Sequence, residues 1–517
     1  MRPPERMVLI LIVSHKVVSK DNLLVGYIID DTFYTNHYLT KNMPEVYDLI
    51  SDDLPLLPYS TVNKMYCHKL ELDNPFRRDI QENLLDWKNQ KRHKVLQLEG
   101  CRQIGKTTEL LKFAYKNYEY VIYVTLADDT FDFIGTVIDS GPSPLVMEKY
   151  CNQSNLPHYV DNQDTILIID EIQINPKVYN AIRTLNTKLS CDIIVTGSYL
   201  GQTLHSDYFL PAGTISYLHM YPLSFSEFCA IFNARRLLET IDLFGQSNRA
   251  DYDKLYGLYD LYKQIGGYPE VVKEYTNSRD VEACYDIISN LLETFEKESR
   301  NYFTGSKETL IFKVVYTEAI KIMCGERKGS GNKLVDVVTQ IVKDSQKMVI
   351  SRDEISNAIQ WLIYSGIIGE CALCNNGNIN DVIPARRLYY MDCGIASYIA
   401  SQVALPESNL TGLLTETFAF AELYRLYATG YRHKSLKGDT PCFSAYNNFE
   451  LDFMVLGKGN VVYGIEVKTD DGDPKSLKVY LENNFIHKGI LAKNTLGGHG
   501  LDFDTIPIYT IARYPFA

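Results

Sequence analysis

Val95-Leu96-Gln97-Leu98-Glu99-Gly100-Cys101-Arg102-Gln103-Ile104-Gly105-Lys106-Thr107-Thr108 is the stretch whose reading decides the fold. A short apolar run opens directly into Gly100 to Thr107, which has the form G-x-x-x-x-G-K-[ST], and a stretch of helical period follows from Thr108 to Asn117. Strand, glycine-rich turn and helix are the context in which this pattern cradles phosphate. Glycines at both ends let the backbone curl so that successive N–H groups from Cys101 through Arg102, Gln103 and Ile104 to Thr108 face inward, and the helix adds the positive end of its dipole. Lys106 then reaches the β- and γ-phosphates of ATP, and the Thr107 hydroxyl takes one Mg2+ position. Stripped of its context, the same pattern is a strand-to-helix turn that binds nothing.

Working outward, the runs Tyr120 to Leu126, Thr165 to Ile169 and Asp192 to Val195 alternate with helix-length stretches, which predicts a parallel α/β sheet. Thr165-Ile166-Leu167-Ile168-Ile169-Asp170-Glu171 has the form of a Walker B strand, apolar throughout and tipped by two acids. A carboxylate at the C-terminal end of such a strand lies beside the phosphate site, so Asp170 is placed to hold the Mg2+ shell. Glu171 supplies a base where an attacking water must be oriented, which points to hydrolysis as well as binding. The alternative is that both acids cap the helix expected over Pro176 to Leu189. The third run leads into Gly197-Ser198, where Ser198 is either a hydrogen-bond donor to the γ-phosphate or the water, or a serine in a strand-end turn. In ATPases of the additional-strand type, this third strand lies between the phosphate-loop strand and the Walker B strand.

These segments are joined in order by Asp170-Glu171-Ile172-Gln173, Thr196-Gly197-Ser198, Pro222-Leu223-Ser224-Phe225-Ser226-Glu227-Phe228 and Gly266-Gly267-Tyr268-Pro269-Glu270-Val271. Together they resemble the prokaryotic AAA-type P-loop ATPases that carry a C-terminal domain of unknown function with a restriction-endonuclease-like core, over roughly residues 76 to 517. The resemblance departs at Gly213-Thr214, where relatives often have Gly-Arg, so the role of that arginine is not carried over. It also implies a homo-oligomer, because AAA-type domains often work as rings in which a neighbour supplies an arginine; Arg183, Arg235 and Arg236 are unassigned candidates.

Composition sets the outer limits. With 517 residues, 45% apolar and 22% charged, the chain is an ordinary globular one of roughly three or four domains, not disordered or fibrous. A formal charge of -12 argues against a surface coated for phosphate binding, so any nucleic-acid contact must be local. Eleven scattered cysteines read as reduced cytosolic thiols, and the close pair Cys371 and Cys374 lacks the second pair of a zinc ribbon, with Cys393 standing alone. Met7 to Val13 is far short of the about 20 residues a membrane span needs, and Ser14-His15-Lys16 offers no signal-peptide cleavage site. A cytoplasmic protein without a membrane anchor is expected. Residues 1–75 read as a small N-terminal β module, with a hairpin turning near Asp21-Asn22.

The expected organisation is α/β and multidomain. An ATPase core over 76–230 is followed by a helical lid over 231–300, where Leu237, Leu238, Ile241, Ile287, Ile288, Leu291 and Phe295 fall at helical spacings. Over 301–404 the chain reads as a winged-helix-like segment: Ser351-Arg352-Asp353-Glu354 caps a helix through Tyr364, and strands follow at Glu370 to Cys374 and Arg387 to Met391. From Lys297 to Lys347 there are ten Lys/Arg against six Asp/Glu, so this segment either contacts DNA or serves as a rigid spacer.

Residues 405–517 carry a second candidate chemistry. Glu416 lies on an apolar helix, and Glu450 and Asp452 share one face of a strand, as do Glu466 and Lys468 on the next. If those strands pair, Asp452 and Glu466 can bind Mg2+, which polarises a phosphodiester, while Lys468 stabilises charge. Helix Glu416, then Asp452, then Glu466-x-Lys468 resembles the catalytic set of the PD-(D/E)XK nuclease superfamily; the alternative is a surface hairpin with ordinary salt bridges. Asp470, Asp471 and Asp473 would repel a DNA backbone if they faced the site. Two functional classes follow: an Mg2+-dependent ATPase coupled to a DNA-binding or DNA-cleaving terminus, or a nucleotide-dependent switch or scaffold that binds a protein through a catalytically silent nuclease-like domain. Kinase-like phosphoryl transfer is a third and weaker option, because no acceptor-binding residues stand out.

Overall fold

The computed structural model describes residues 27–29, 32–34, 59–73, 75–90, 94–128, 131–154, 156–198, 207–209, 213–302, 351–403, 407–428, 436–469 and 473–516, with isolated positions between 314 and 344. Near the N-terminus β1 (Tyr27–Ile29) and β2 (Thr32–Tyr34) pair antiparallel. The turn expected at Asp21-Asn22 lies outside the described residues, as do Asp470 and Asp471.

The first sheet holds β3 (Val95–Glu99), β4 (Tyr120–Thr125), β5 (Thr165–Asp170), β6 (Asp192–Thr196) and β7 (Ile215–His219), in the order β4-β5-β6-β3-β7 and parallel throughout. Strands β5 and β6 are buried at every position, which is why they read as unbroken apolar runs. Ile166, Ile168 and Ile194 enter the core on one face, while Leu167, Ile169 and Val195 enter that on the other. With β6 between β3 and β5, the phosphate loop and the acid-tipped strand open on the same carboxyl edge.

After β7 come the helices Phe225–Ile231, Arg235–Thr240, Arg249–Ile265, Pro269–Ser278 and Val281–Tyr302. Beyond the helix Arg352–Tyr364 lies a second sheet of eight strands: β8 (Ile368–Asn375), β9 (Val382–Tyr390), β10 (Lys437–Tyr446), β11 (Phe449–Leu456), β12 (Val462–Lys468), β13 (Lys488–Lys493), β14 (Gly498–His499) and β15 (Phe503–Pro507). Its order is β14-β15-β13-β12-β11-β10-β8-β9. Here the structure differs from the sequence reading. The hairpin assigned to a winged-helix-like segment ending at 404 is the edge of the C-terminal sheet, because β8 pairs parallel with β10, Cys374 opposite Ser444. The physical reason is burial on both faces: Cys371 belongs to one core and Cys374 to another, so β8 needs covering layers that a free hairpin lacks. The same placement puts the two thiols on opposite sides of the strand, where they cannot share a metal ion.

The motif Pro222-Leu223-Ser224-Phe225 and the Gly266-Gly267 turn meet at the joint between the layers. Leu223 N donates to Gly267 O at 2.7 Å, and Gly267 N donates to Asp392 Oδ2 at 2.7 Å. A Cβ at Gly267 would lie 2.3 Å from Leu223 O, so a side chain is excluded there. The ring of Phe225 meets Tyr262 at 5.7 Å and Phe418 at 5.6 Å, joining the helix Arg249–Ile265 to the helix Glu407–Ala428.

Candidate functional site

The phosphate loop takes its shape from three left-handed positions: Gly100 at φ 145°, Gln103 at φ 61° and Gly105 at φ 92°. Gly100 also faces the chain after β7, where a Cβ would lie 2.1 Å from Met220 O. Arg78, buried, braces the loop from outside. Its guanidinium donates to Ile104 O at 2.9 Å, to Tyr221 O at 2.6 Å and to Glu227 Oε1 at 3.0 Å. Thus Glu227 of the Pro-Leu-Ser-Phe element supports the loop through an arginine.

Lys106 opens the helix Lys106–Asn117, and its Nζ donates to Gly100 O at 2.9 Å and Cys101 O at 2.7 Å. Burial pulls its pKa below the ordinary lysine value, while nearby Glu171 and Asp170 oppose that shift. Thr108 follows in the same first turn. Thr107 Oγ1 donates to Asp170 Oδ2 at 2.7 Å, and Tyr123 OH donates to the same oxygen at 2.9 Å. The other oxygen, Oδ1, accepts Glu171 N at 2.8 Å. A hydroxyl and a carboxylate set this close suit a hard cation such as Mg2+. Burial, then the neighbouring Asp170 charge, push the Tyr123 phenol well above its usual range.

Glu171 sits at φ 53°, and its carboxylate accepts Ser198 Oγ at 3.3 Å and the amide of Gln173. The helix-capping alternative for the two acids is not what is seen: Asn175 caps the helix Pro176–Asn180, accepting Lys177 N at 2.9 Å. The structure therefore brings Lys106, Thr107, Asp170, Glu171 and Ser198 together on one edge, with Ser198 bonded to the glutamate. The sequence reading missed Tyr123 and Arg78, and quoted Gln173 and Tyr268 within its motifs without giving either a role; the Tyr268 hydroxyl donates to Cys101 Sγ at 3.3 Å. Tyr123 stands in a run of strand-forming residues where a tyrosine reads as packing. Of the candidate arginines, Arg235 is paired with Asp79 at 2.6 Å and Glu239 at 2.9 Å, whereas Arg183 and Arg236 are exposed.

The C-terminal acids fall on neighbouring elements. Asp452 on β11 accepts Val467 N of β12 at 2.8 Å. Glu466 on β12 accepts Leu477 N at 3.1 Å with one oxygen and pairs with Lys468 Nζ at 3.0 Å through the other. Burial raises the Glu466 pKa, Lys468 works against that shift and Asp452 adds to it. Burial on its own would lower the pKa of Arg387, but Tyr389, then Asp452 and then Glu416, half-buried on its helix, outweigh it and raise that pKa, so both acids lie within electrostatic reach of this guanidinium. Arg387 was not anticipated: it reaches across from β9, lies 4.3 Å from the Phe443 ring centroid and pairs with Glu450. Among the described residues, no three His, Cys, Asp or Glu side chains are gathered to hold a metal ion. None of the described helices is long and apolar enough to cross a membrane.

Residues 92–229 match an AAA domain, and residues 257–405 match a domain of unknown function, DUF8612, which runs across the 300/301 boundary read from the sequence. A Haemophilus influenzae protein described as uncharacterized is 25% identical over 247 residues, which is 46% of this chain and 54% of that protein. The chain thus spans about half the length of the curated relative it matches. Among solved structures, the Walker-type ATPase PABY2304 of Pyrococcus abyssi is similar at 11% identity and TM-score 0.39, over 63% of this chain and 95% of that one. The Aeropyrum pernix ORC1 protein in complex with DNA is similar at 14% identity and TM-score 0.28, over 67% and 94%. The Thermotoga maritima RuvB Holliday junction branch migration motor is similar at 13% identity and TM-score 0.24, over 65% and 97%. The AAA match and the geometry of loop, aspartate and glutamate make the central domain an AAA-type P-loop ATPase.

Proposed function

We propose that the chain is an ATP-hydrolysing switch that gates a DNA-acting C-terminal sheet. The observation that carries this reading is a contact between the phosphate loop and the segment leading into β8. Gly366, the turn between the helix Arg352–Tyr364 and β8, lies against the loop: a Cβ there would sit 3.6 Å from Cys101 N. Tyr268 of the Gly-Gly-Tyr-Pro turn grips the same residue through its thiol. Phosphates on the loop N–H groups would draw Lys106 off the carbonyls of Gly100 and Cys101, and both neighbours would feel the loop move. Glu171, held by Ser198 and Gln173, would orient the attacking water and take its proton. Mg2+ bound through Thr107 and Asp170 would neutralise charge on the phosphates.

For the C-terminal sheet, the order helix Glu416, strand Asp452, strand Glu466-x-Lys468 supports action on a phosphodiester. A second reading, a silent domain that binds a protein partner, is favoured by the pairing of Lys468 with Glu466 and of Arg387 with Glu450, which occupies both cations with carboxylates. One experiment separates them: phosphate release and DNA integrity measured together, in Mg2+, with and without linear double-stranded DNA at low salt. Glu171→Gln is expected to lower hydrolysis at least about 100-fold while nucleotide binding persists. DNA-stimulated hydrolysis, with cutting that Asp452→Ala abolishes, supports the DNA-acting reading. Hydrolysis indifferent to DNA that stays intact and unbound overturns it and leaves the protein-binding switch.

A further inference from the structure

We propose that Tyr123 is a positioning residue for Asp170 and tunes how tightly the ATPase site holds its divalent cation. The inference rests on the ATPase domain and is independent of what the C-terminal sheet acts on. Three elements fix the Asp170 carboxylate. The helix after the phosphate loop supplies Thr107 Oγ1 at 2.7 Å, the edge strand β4 supplies Tyr123 OH at 2.9 Å, and the backbone after β5 supplies Glu171 N at 2.8 Å. Thr107 and Tyr123 converge on Oδ2, whereas Glu171 N takes Oδ1, so the plane of the carboxylate is set by donors on both oxygens.

Of the three, Tyr123 is the one free of any other duty at the phosphates. Thr107 is itself a candidate metal ligand, and the Glu171 N–H belongs to the backbone of the catalytic residue. Tyr123 stands opposite Ile168 on the neighbouring strand, two residues short of the position where Thr125 faces Asp170, so its ring must lean along the strand for the hydroxyl to meet the acid. A phenylalanine would fill the same half-buried position, and packing alone therefore does not call for the hydroxyl. Groups that hydrogen-bond a metal-holding side chain typically alter metal affinity about 10- to 100-fold when removed, because the ligand is then free to rotate out of place.

The test uses the full chain and Tyr123→Phe, with a fluorescent ADP analogue titrated in EDTA and again across a MgCl2 series. The Mg2+ concentration that half-saturates the gain in nucleotide affinity is expected to rise about 10-fold in the variant, with affinity in EDTA kept within about twofold. Hydrolysis lost at low Mg2+ should return as Mg2+ is raised. An unchanged Mg2+ midpoint overturns the proposal. So does an equal loss of affinity in EDTA, which would show that the hydroxyl supports the loop itself. Melting of the nucleotide-free variant, compared with the parent chain, separates a general loss of folding from either result.

Discussion

Glu227 shows how much a single side chain carries here. It accepts Arg78 Nε at 3.0 Å and Asp79 N at 2.7 Å with one oxygen, and Ser224 N at 2.9 Å with the other. Burial on its own would raise its pKa, but Arg78 and the two backbone donors outweigh that and hold the carboxyl below its ordinary 4.5. A depressed carboxyl contributes stability that is fully present above the unfolded value and is lost as pH falls through the folded one. Denaturant unfolding is therefore expected to show the protein weakening as pH drops below 4.5. Glu227→Gln should cost about 3 kcal/mol at neutral pH, because Arg78 stays buried without its charge partner. That difference from the parent chain should shrink in acid, and an unchanged pH slope would count against the assignment. Because Arg78 also holds Ile104 O, the same variant should weaken nucleotide binding.

At the scale of elements, two glycines predict opposite outcomes. Gly100→Ala combines φ 145° with a Cβ 2.1 Å from Met220 O, and is expected to cost more than about 2 kcal/mol and to abolish tight nucleotide binding. Gly257, inside the helix Arg249–Ile265, has nothing within 4 Å of its Cβ position, and Gly257→Ala should stabilise by about 0.5–1 kcal/mol. Thermal melting of both variants, with a nucleotide titration of the first, checks the pair. The same contrast explains what could be read from the letters alone. Strands β3, β5 and β6 were legible because burial on both faces writes unbroken apolar runs, and the loop because its chemistry needs fixed residue types. Strand β7 escaped notice: on the edge of the sheet only Ile215 and Leu218 are buried, while Tyr217 and His219 are exposed, so no unbroken apolar run marks it. The β8–β9 hairpin was seen, yet its partner was not, since nothing near Cys374 in sequence names Ser444. Tyr123 was missed for a related reason: its target lies on the next strand, and strand spacing does not encode a cross-strand bond.

For the molecule as a whole, the joint between the layers depends on charges kept out of water. Arg425 and Glu422 are both buried and paired on the helix Glu407–Ala428, and Glu422 also accepts Phe225 N at 3.3 Å. Arg425→Met leaves Glu422 without a cation and is expected to cost about 3–5 kcal/mol, whereas adding Glu422→Met should recover much of that. Equilibrium denaturation of the single and double variants measures the coupling, and strictly additive losses would contradict it. The insertion of β10 between β8 and β11 bears on how the protein is made. During synthesis the ATPase sheet is complete when β7 leaves the ribosome, but β8 must wait some 70 residues, from Cys374 to Ser444, before its parallel neighbour arrives. Through that interval a nascent chain carries an apolar strand with an open edge, the kind of surface on which other chains add and aggregate. The second half of this molecule is therefore where chaperone dependence and misassembly should concentrate, while the ATPase half folds ahead of it.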